Sequence, residues 1–399
     1  MSGGSGAGPA KSITLGEVVR AGLSSFSQSH RLPAHHWKVL RAIAACHTPA
    51  LGGHQYRCAH CEQEHFVPHS CGNRHCPSCQ KLNGAQWLED QIEHLLPIPY
   101  FHVVFTLPHE LNPLVQHNQA SLYSLLFSSA TATLLEFGRN NLKASLGVTA
   151  VLHTWGQNLT DHYHLHCVVT GGGLALDGQS WVSAPRHWLF AVRALSVVFR
   201  AKFRDGLQQL FNDGQLQFPK SEPRLSDPVG FGRWLRRLCR HKWVVYTKRP
   251  FAGPQAVLAY LCRYTHRVAI SNSRLEALDC QNGTVTFRYK DYAHQSQLRT
   301  MTLPLAEFLR RFCLHILPPR FVKIRHYGLL SNRDRSARIT QARALLAQFP
   351  SSPEEAQEPV LIVKHVEAPA LVCPHCGQRA LVLIRIINRP KTPPICDTS

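Results

Sequence analysis

The sequence predicts an α+β fold. Apolar residues recur at helical spacing in several long stretches, and β-branched and aromatic runs come in pairs joined by turn residues. The order strand–helix–strand–strand–helix, with its antiparallel hairpin, does not suit a parallel doubly wound sheet. The chain has 399 residues, of which 44% are hydrophobic. That length predicts roughly two or three domains, each with a real core.

Residues 1–11 are a Gly/Ser-rich start with no apolar core for a secretory signal. Ile13 to Ala45 has helical spacing (Leu15, Val18, Val19, Leu23, then Trp37, Leu40, Ile43), so residues 1–50 read as an N-terminal helical region. His30, His35 and His36 within it are expected at the surface or as caps. Leu82 to Leu96 reads as an amphipathic helix, and Tyr100 to Leu107 as a buried strand. Pro113 to Leu142 and His187 to Phe211 are helical in pattern. Phe231 to Arg240 reads as a basic helix and Trp243 to Thr247 as a strand, followed by a helix over Pro254 to Val268. Short strands are expected between Leu275 and Thr302, then a helix over Leu305 to Leu314. No run approaches the ~18 apolar residues of a membrane span.

Of fourteen cysteines, six form C-x-x-C pairs: Cys58/Cys61, Cys76/Cys79 and Cys373/Cys376. That spacing suits a metal rather than a disulfide framework, and so a reducing, cytoplasmic compartment. Four thiolates make a closed tetrahedral site that folds a segment too small to bury its own core. Cys58, Cys61, Cys76 and Cys79 are therefore predicted to hold one structural Zn2+, in a zinc-binding domain over 51–97. His69, Cys71 and His75 are further donors, and a second metal on Cys71 and His75 is the alternative. Cys373 and Cys376 lack a partner pair, and residues 346–399 are expected to be linker and tail.

His153 to Gly173 reads as two strands and a turn, with Asn158 to Asp161 as the turn and Gly171 to Gly173 as its end. Side chains alternate along a strand, so His162, His164 and His166 share a face. If Gln157 pairs with His162, then Trp155 faces His164 and His153 faces His166. Three imidazoles, His153, His164 and His166, then converge as candidate metal ligands.

Lys+Arg number 44 against 24 Asp+Glu, a net charge of +20. Such an excess in a well-packed chain points to a polyanion, most often nucleic acid. The most one-sided stretch runs from Pro228 to Leu275, with ten Lys/Arg and no acid. Arg233, Arg236, Arg237, Arg240, Arg263 and Arg267 are the candidate DNA-binding residues. Within the same stretch Tyr260 and Tyr264 stand one helical turn apart, beside Arg263 and Arg267. Taken alone, they are an aromatic pair at the edge of a core face. Together with a cation site and arginines they have the parts for breaking a phosphodiester: a nucleophile, charge neutralisation and in-line geometry.

His164-Leu165-His166 resembles the histidine–hydrophobic–histidine (HUH) motif of rolling-circle endonucleases, and Tyr260-xxx-Tyr264 resembles their two-tyrosine motif. With CAHC…NRHCPSC ahead of them, the chain resembles transposases of the insertion-sequence-ninety-one family and their common-region relatives. Four blocks carry the resemblance: NRHCPSCQ, HVVFTLP, LHTWGQNL…HYHLHCVVTGGG and AYLCRYTHRVAI. It implies an HUH nuclease domain over 98–345, with a central antiparallel sheet and flanking helices. It further implies single-strand cutting at the element's ends and strand transfer by a rolling-circle route. His164 and His166 would be ligands of a catalytic Mg2+ or Mn2+, and Tyr260 and Tyr264 the nucleophiles. Likeness to conjugative relaxases, which use three histidines, supports His153 as the third ligand. Gln157 is its competitor, and His162 is a spectator near the turn.

A plasmid replication initiator or conjugative relaxase would share this chemistry, and the cysteine-rich unit favours the transposase over both. A zinc-dependent DNA-binding regulator without chemistry is the reading from another class. DNA as partner implies a cytoplasmic, nucleoid-associated protein.

Overall fold

The computed structural model describes residues 12–80, 94–185, 189–248, 257, 268–292, 294–348 and 372–389. In chain order the elements begin with helices α1 (Leu15–Ser29) and α2 (Ala34–Ala45) and strands β1 (Gly53–Cys58), β2 (Glu64–Pro68) and β3 (Tyr100–Thr106). Helices α3 (Asn112–His117) and α4 (Gln119–Phe137) lead into strands β4 (Ala144–Trp155), β5 (Asp161–Ala175) and β6 (Trp181–Ser183). Next come α5 (Val192–Asn212), α6 (Pro228–Leu238), β7 (Val245–Lys248), β8 (Leu275–Asp279), β9 (Thr284–Asp291) and β10 (Gln297–Pro304). The order ends with α7 (Leu305–Leu314), β11 (Ile324–Gly328), α8 (Arg335–Ala347) and β12 (Leu381–Ile387). The helix expected over Leu82 to Leu96 falls largely outside the described residues. So does nearly all of the one expected over Pro254 to Val268.

The chain divides into two compact units that interleave in sequence. One joins Met1–Leu82, Ile270–Cys313 and Glu358–Ser399, and the other joins Asn83–Ala269 and Leu314–Gln357. Residues 270–313, which the sequence reading placed with the nuclease stretch, therefore group with the chain's two ends.

In the first unit α1 starts on a capping box. The Thr14 hydroxyl accepts from the Glu17 N–H while the Glu17 carboxylate accepts from the Thr14 N–H. Two antiparallel sheets follow, in strand orders β12-β1-β2 and β10-β9-β8. The second unit is built on a six-stranded antiparallel sheet of order β11-β4-β5-β3-β7, with β6 pairing to β5. This is the central antiparallel sheet with flanking helices that an α+β reading requires.

Alternation along the central strands sorts the sheet's two faces. Leu146, Val148, Ala150 and Leu152 of β4 join Tyr163, Leu165, Cys167 and Val169 of β5 and Phe101, Val103 and Phe105 of β3 in one core. Helices α4, α5 and α6 cover that face through Tyr123, Phe127, Phe199, Phe203 and Phe231, all fully buried. The intervening residues, among them His102, His153, His164 and His166, point to the other face.

The triple glycine does not end the hairpin; it lies inside β5, which continues to Ala175. Gly172 has φ 149°, and a Cβ there would fall 2.4 Å from the Val182 carbonyl oxygen of β6. At Gly173 a Cβ would fall 2.3 Å from the Ser145 carbonyl oxygen of β4. The backbone of β5 is thus gripped on both sides at a distance only glycine permits.

Candidate active site

The hairpin β4–β5 carries the histidines, but in a register other than the one expected. His153 pairs with His164, Val151 with His166, and Trp155 with Asp161, with a bulge between His153 and Trp155. The turn is tighter than assumed. The Gly156 N–H donates to the Thr160 carbonyl at 2.8 Å, and Asn158 Oδ1 accepts from the Thr160 hydroxyl at 2.7 Å. Leu159 takes φ 63° in the middle of the turn. Relative to the expected pairing, His153 moves from His166 to His164, a slip of two residues. An even slip preserves which face each side chain occupies, so the three imidazoles still converge.

His153, His164 and His166 offer ligand nitrogens that all lie within 4.8 Å of one another. Their ring centroids are 4.5 Å apart for His153–His166, 4.8 Å for His164–His166 and 5.3 Å for His153–His164. His153 and His166 are buried, and His164 is half-buried. His153 stacks on Trp155 at 4.8 Å, which fixes its ring plane. His164 Nδ1 lies 2.9 Å from the carbonyl oxygen of His162, which assigns that nitrogen the proton and leaves Nε2 with the lone pair. The His162 ring lies 4.7 Å from that of His164, and burial pushes its imidazole below the ordinary value.

A fourth histidine belongs to this site, and the sequence reading did not single it out. His102 of β3 is 2% exposed. Its Nε2 lies 2.9 Å from His166 Nδ1. Burial, with Lys248 nearby, pushes His102 down to about 3. A neutral His102 can accept a hydrogen bond from the His166 Nδ1–H, which turns the lone pair of His166 Nε2 toward the other two rings. Its sequence signal was a histidine inside the apolar run YFHVVF.

Below the hairpin, His315 braces the turn from behind. Its Nε2 lies 3.0 Å from the Leu159 carbonyl and its Nδ1 3.3 Å from the Thr154 hydroxyl. Burial pushes this imidazole below its ordinary value.

The donor set fits a divalent cation. Three imidazoles on one face of a rigid hairpin leave the remaining coordination positions open, as a catalytic site requires. Imidazole also ranks Mn2+ above Mg2+, which prefers oxygen ligands.

Arg233, Arg236 and Arg237 on α6, and Arg240 just beyond it, are all exposed, while Phe231, Leu235 and Leu238 of the same helix are buried. The helix thus turns a basic face to solvent. Tyr260, Tyr264, Arg263 and Arg267 lie outside the described residues.

The expected four-cysteine site is divided in two. Cys76 and Cys79 stand with Cys46 and Cys71, and Cys58 and Cys61 stand with Cys373 and Cys376. In the first group the sulfur separations are 3.6 Å for Cys46–Cys79, 3.5 Å for Cys71–Cys79 and 3.6 Å for Cys46–Cys76. The Cys46 and Cys71 thiols, hydrogen-bonded to Cys76, hold its own thiol well below the ordinary value. Cys58 and Cys61 sit at the tip of the hairpin β1–β2, whereas Cys76 and Cys79 follow its far end, beside the end of α2. His69 and His75 are not among these ligands.

Comparison with known proteins assigns these parts. Residues 147–337 match a family model described as "Putative transposase", and residues 18–107 match one described as "Transposase zinc-binding domain". The chain is 44% identical over 391 residues to a Sinorhizobium fredii protein named "Putative transposase y4qJ", covering 96% of each. It is 30% identical over 300 residues to the transposase for insertion sequence element IS801 of Pseudomonas savastanoi pv. phaseolicola, covering 73% of this chain and 69% of that protein. No solved structure matches. No described helix is long and apolar enough to cross a membrane. The zinc-binding match and the thiol clusters together give the chain structural zinc. The histidine hairpin lies within one family match and the cysteine-rich hairpin within the other, and the two relatives cover 96% and 73% of the sequence: the chain belongs to the insertion-sequence-ninety-one family of transposases.

Proposed function

We propose that this transposase nicks single-stranded DNA at the ends of an insertion sequence through a 5′-phosphotyrosine and transfers the strand by a rolling-circle route. The observation that carries this reading is the convergence of His153, His164 and His166 on one face of the hairpin. Bound there, Mn2+ or Mg2+ would withdraw charge from the scissile phosphate and fix its orientation. The chain's own groups do the rest. The hydroxyl oxygen of Tyr260 or Tyr264 attacks phosphorus in line, losing its proton to solvent. The bond from phosphorus to the 3′ oxygen breaks, and that oxygen leaves as a 3′ hydroxyl. The 5′-phosphotyrosine keeps a phosphodiester, so a second 3′ hydroxyl can displace the tyrosine without further energy input. Two tyrosines one turn apart allow two such cuts in succession. Arg233, Arg236, Arg237 and Arg240 hold the strand's phosphates, joined by Arg263 and Arg267 beside the tyrosines.

The test is a covalent adduct. The purified protein is mixed with single-stranded oligonucleotides of the element's ends and Mn2+, and the denatured products are resolved by size. A protein–DNA adduct that disappears when Tyr260→Phe and Tyr264→Phe are combined supports the assignment. An adduct of unchanged yield in that double variant refutes the tyrosines.

A further inference from the structure

We propose that Cys58, Cys61, Cys373 and Cys376 hold a second structural zinc, which staples the C-terminal strand β12 to the cysteine-rich hairpin β1–β2. The four sulfurs come from the two most distant C-x-x-C pairs of the chain. Cys58 Sγ lies 3.6 Å from Cys376 Sγ, and Cys61 Sγ lies 3.6 Å from Cys373 Sγ, across 318 and 312 residues respectively. All four lie within 4.8 Å of one another. A tetrahedron with Zn–S bonds of about 2.3 Å has edges of about 3.8 Å, and a disulfide would require about 2.0 Å. The separations match metal ligation.

The two pairs are also built as copies of one turn. The sequences are Cys58-Ala59-His60-Cys61-Glu62-Gln63 and Cys373-Pro374-His375-Cys376-Gly377-Gln378, the same C-x-H-C-x-Q pattern twice. In the first, the Glu62 N–H donates to the Cys58 carbonyl at 2.8 Å and the Cys58 N–H to the Gln63 carbonyl at 2.9 Å. In the second, the Gly377 N–H donates to the Cys373 carbonyl and the Cys373 N–H to the Gln378 carbonyl, both at 2.8 Å. The residue after each second cysteine is left-handed, with φ 58° at Glu62 and 73° at Gly377. Such knuckles turn two thiolates toward a common point, and two facing knuckles complete the four. His65 Nε2 lies 3.2 Å from Cys373 Sγ, so its N–H can support a thiolate there.

The strand that follows has little else to hold it. β12 pairs antiparallel with β1, Cys58 opposite Leu381, and the Ala59 N–H donates to the Ala380 carbonyl at 2.7 Å. Yet Val382, Leu383, Ile384 and Ile386 of β12 are each about half exposed. Edge pairing with so little apolar burial does not stabilise a strand brought in from 300 residues away, and metal ligation supplies what burial does not. The first cluster, Cys46/Cys71/Cys76/Cys79, lies wholly within the matched zinc-binding domain and would hold the other zinc independently.

The test counts zinc and maps its ligands on the full chain. Elemental analysis of the wild type should give two zinc per chain. Cys373→Ser with Cys376→Ser should give one, and Cys373→His, which keeps a zinc donor, should restore two. Thiol alkylation of the wild type read by mass spectrometry needs no variant. Cys58, Cys61, Cys373 and Cys376 should be protected together and become labelled together on adding a chelator, while exposed Cys280 is labelled throughout. One zinc per wild-type chain would overturn the proposal. So would labelling of Cys373 and Cys376 in the zinc-loaded protein at the rate of Cys280.

Discussion

His102 Nε2 lies 2.9 Å from His166 Nδ1, with the two rings nearly parallel and their centroids 5.1 Å apart. A contact of this kind fixes the tautomer of a ligand and the direction of its lone pair. Loss of such a partner costs about 10–100-fold in metal affinity. His102→Ala is accordingly expected to weaken Mn2+ binding, measured calorimetrically on the DNA-free protein, by about that factor. Unchanged Mn2+ affinity would show that His102 is only a core residue.

The basic face of α6 predicts a salt signature. Binding to single-stranded DNA should weaken linearly in log–log form, with a slope of about −0.7 for each phosphate neutralised. Arg236→Ala combined with Arg237→Ala should make that slope shallower by roughly 1.4 if both contact phosphates. Fluorescence anisotropy over a salt series measures it. A slope equal to the wild type's would remove these two residues from the DNA surface.

The close approach at Gly173 predicts a local cost of crowding. Gly173→Ala must displace the β4 backbone at Ser145, at an expected cost of about 1–3 kcal/mol in chemical denaturation. An unchanged denaturation midpoint would mean that β4 and β5 can separate there freely.

Acid should destabilise the second unit through His326. Burial, with Arg335 and His94 nearby, holds this imidazole down to about 4 from its ordinary 6.5, and its Nδ1 lies 3.0 Å from the Thr149 hydroxyl. The unfolded chain takes up a proton as pH falls below 6.5, while the folded chain resists until about 4. Stability is therefore full above 6.5 and declines between 6.5 and 4. His326→Gln, which cannot titrate, should flatten the fall in melting temperature across that window. A fall as steep as the wild type's would assign the effect to other groups.

The site was legible where period and chemistry agree. Alternation alone put His164 and His166 on one face, and because the register slip was even, His153 stayed on that face although its pairing was wrong. The slip itself was hidden because a bulge and a left-handed Leu159 are set by the three-dimensional turn. The thiols were legible as metal ligands but not as partners. Nearness in sequence suggested Cys58/Cys61 with Cys76/Cys79, whereas the hairpin β1–β2 separates these pairs. The repeated C-x-H-C-x-Q pattern was the available signal for joining Cys58/Cys61 to Cys373/Cys376. His102 escaped because one histidine in an apolar strand usually reads as a satisfied core residue.

In the proposed function the three histidines form one cation site on which strand cleavage depends. Mn2+ binding followed by electron paramagnetic resonance, alongside cleavage of an element-end oligonucleotide, tests it most directly in the wild type and in His164→Ala. One bound Mn2+ per chain is expected in the wild type, and loss of both binding and cleavage in His164→Ala with DNA affinity retained. Cleavage and Mn2+ binding at wild-type levels in His164→Ala would contradict it.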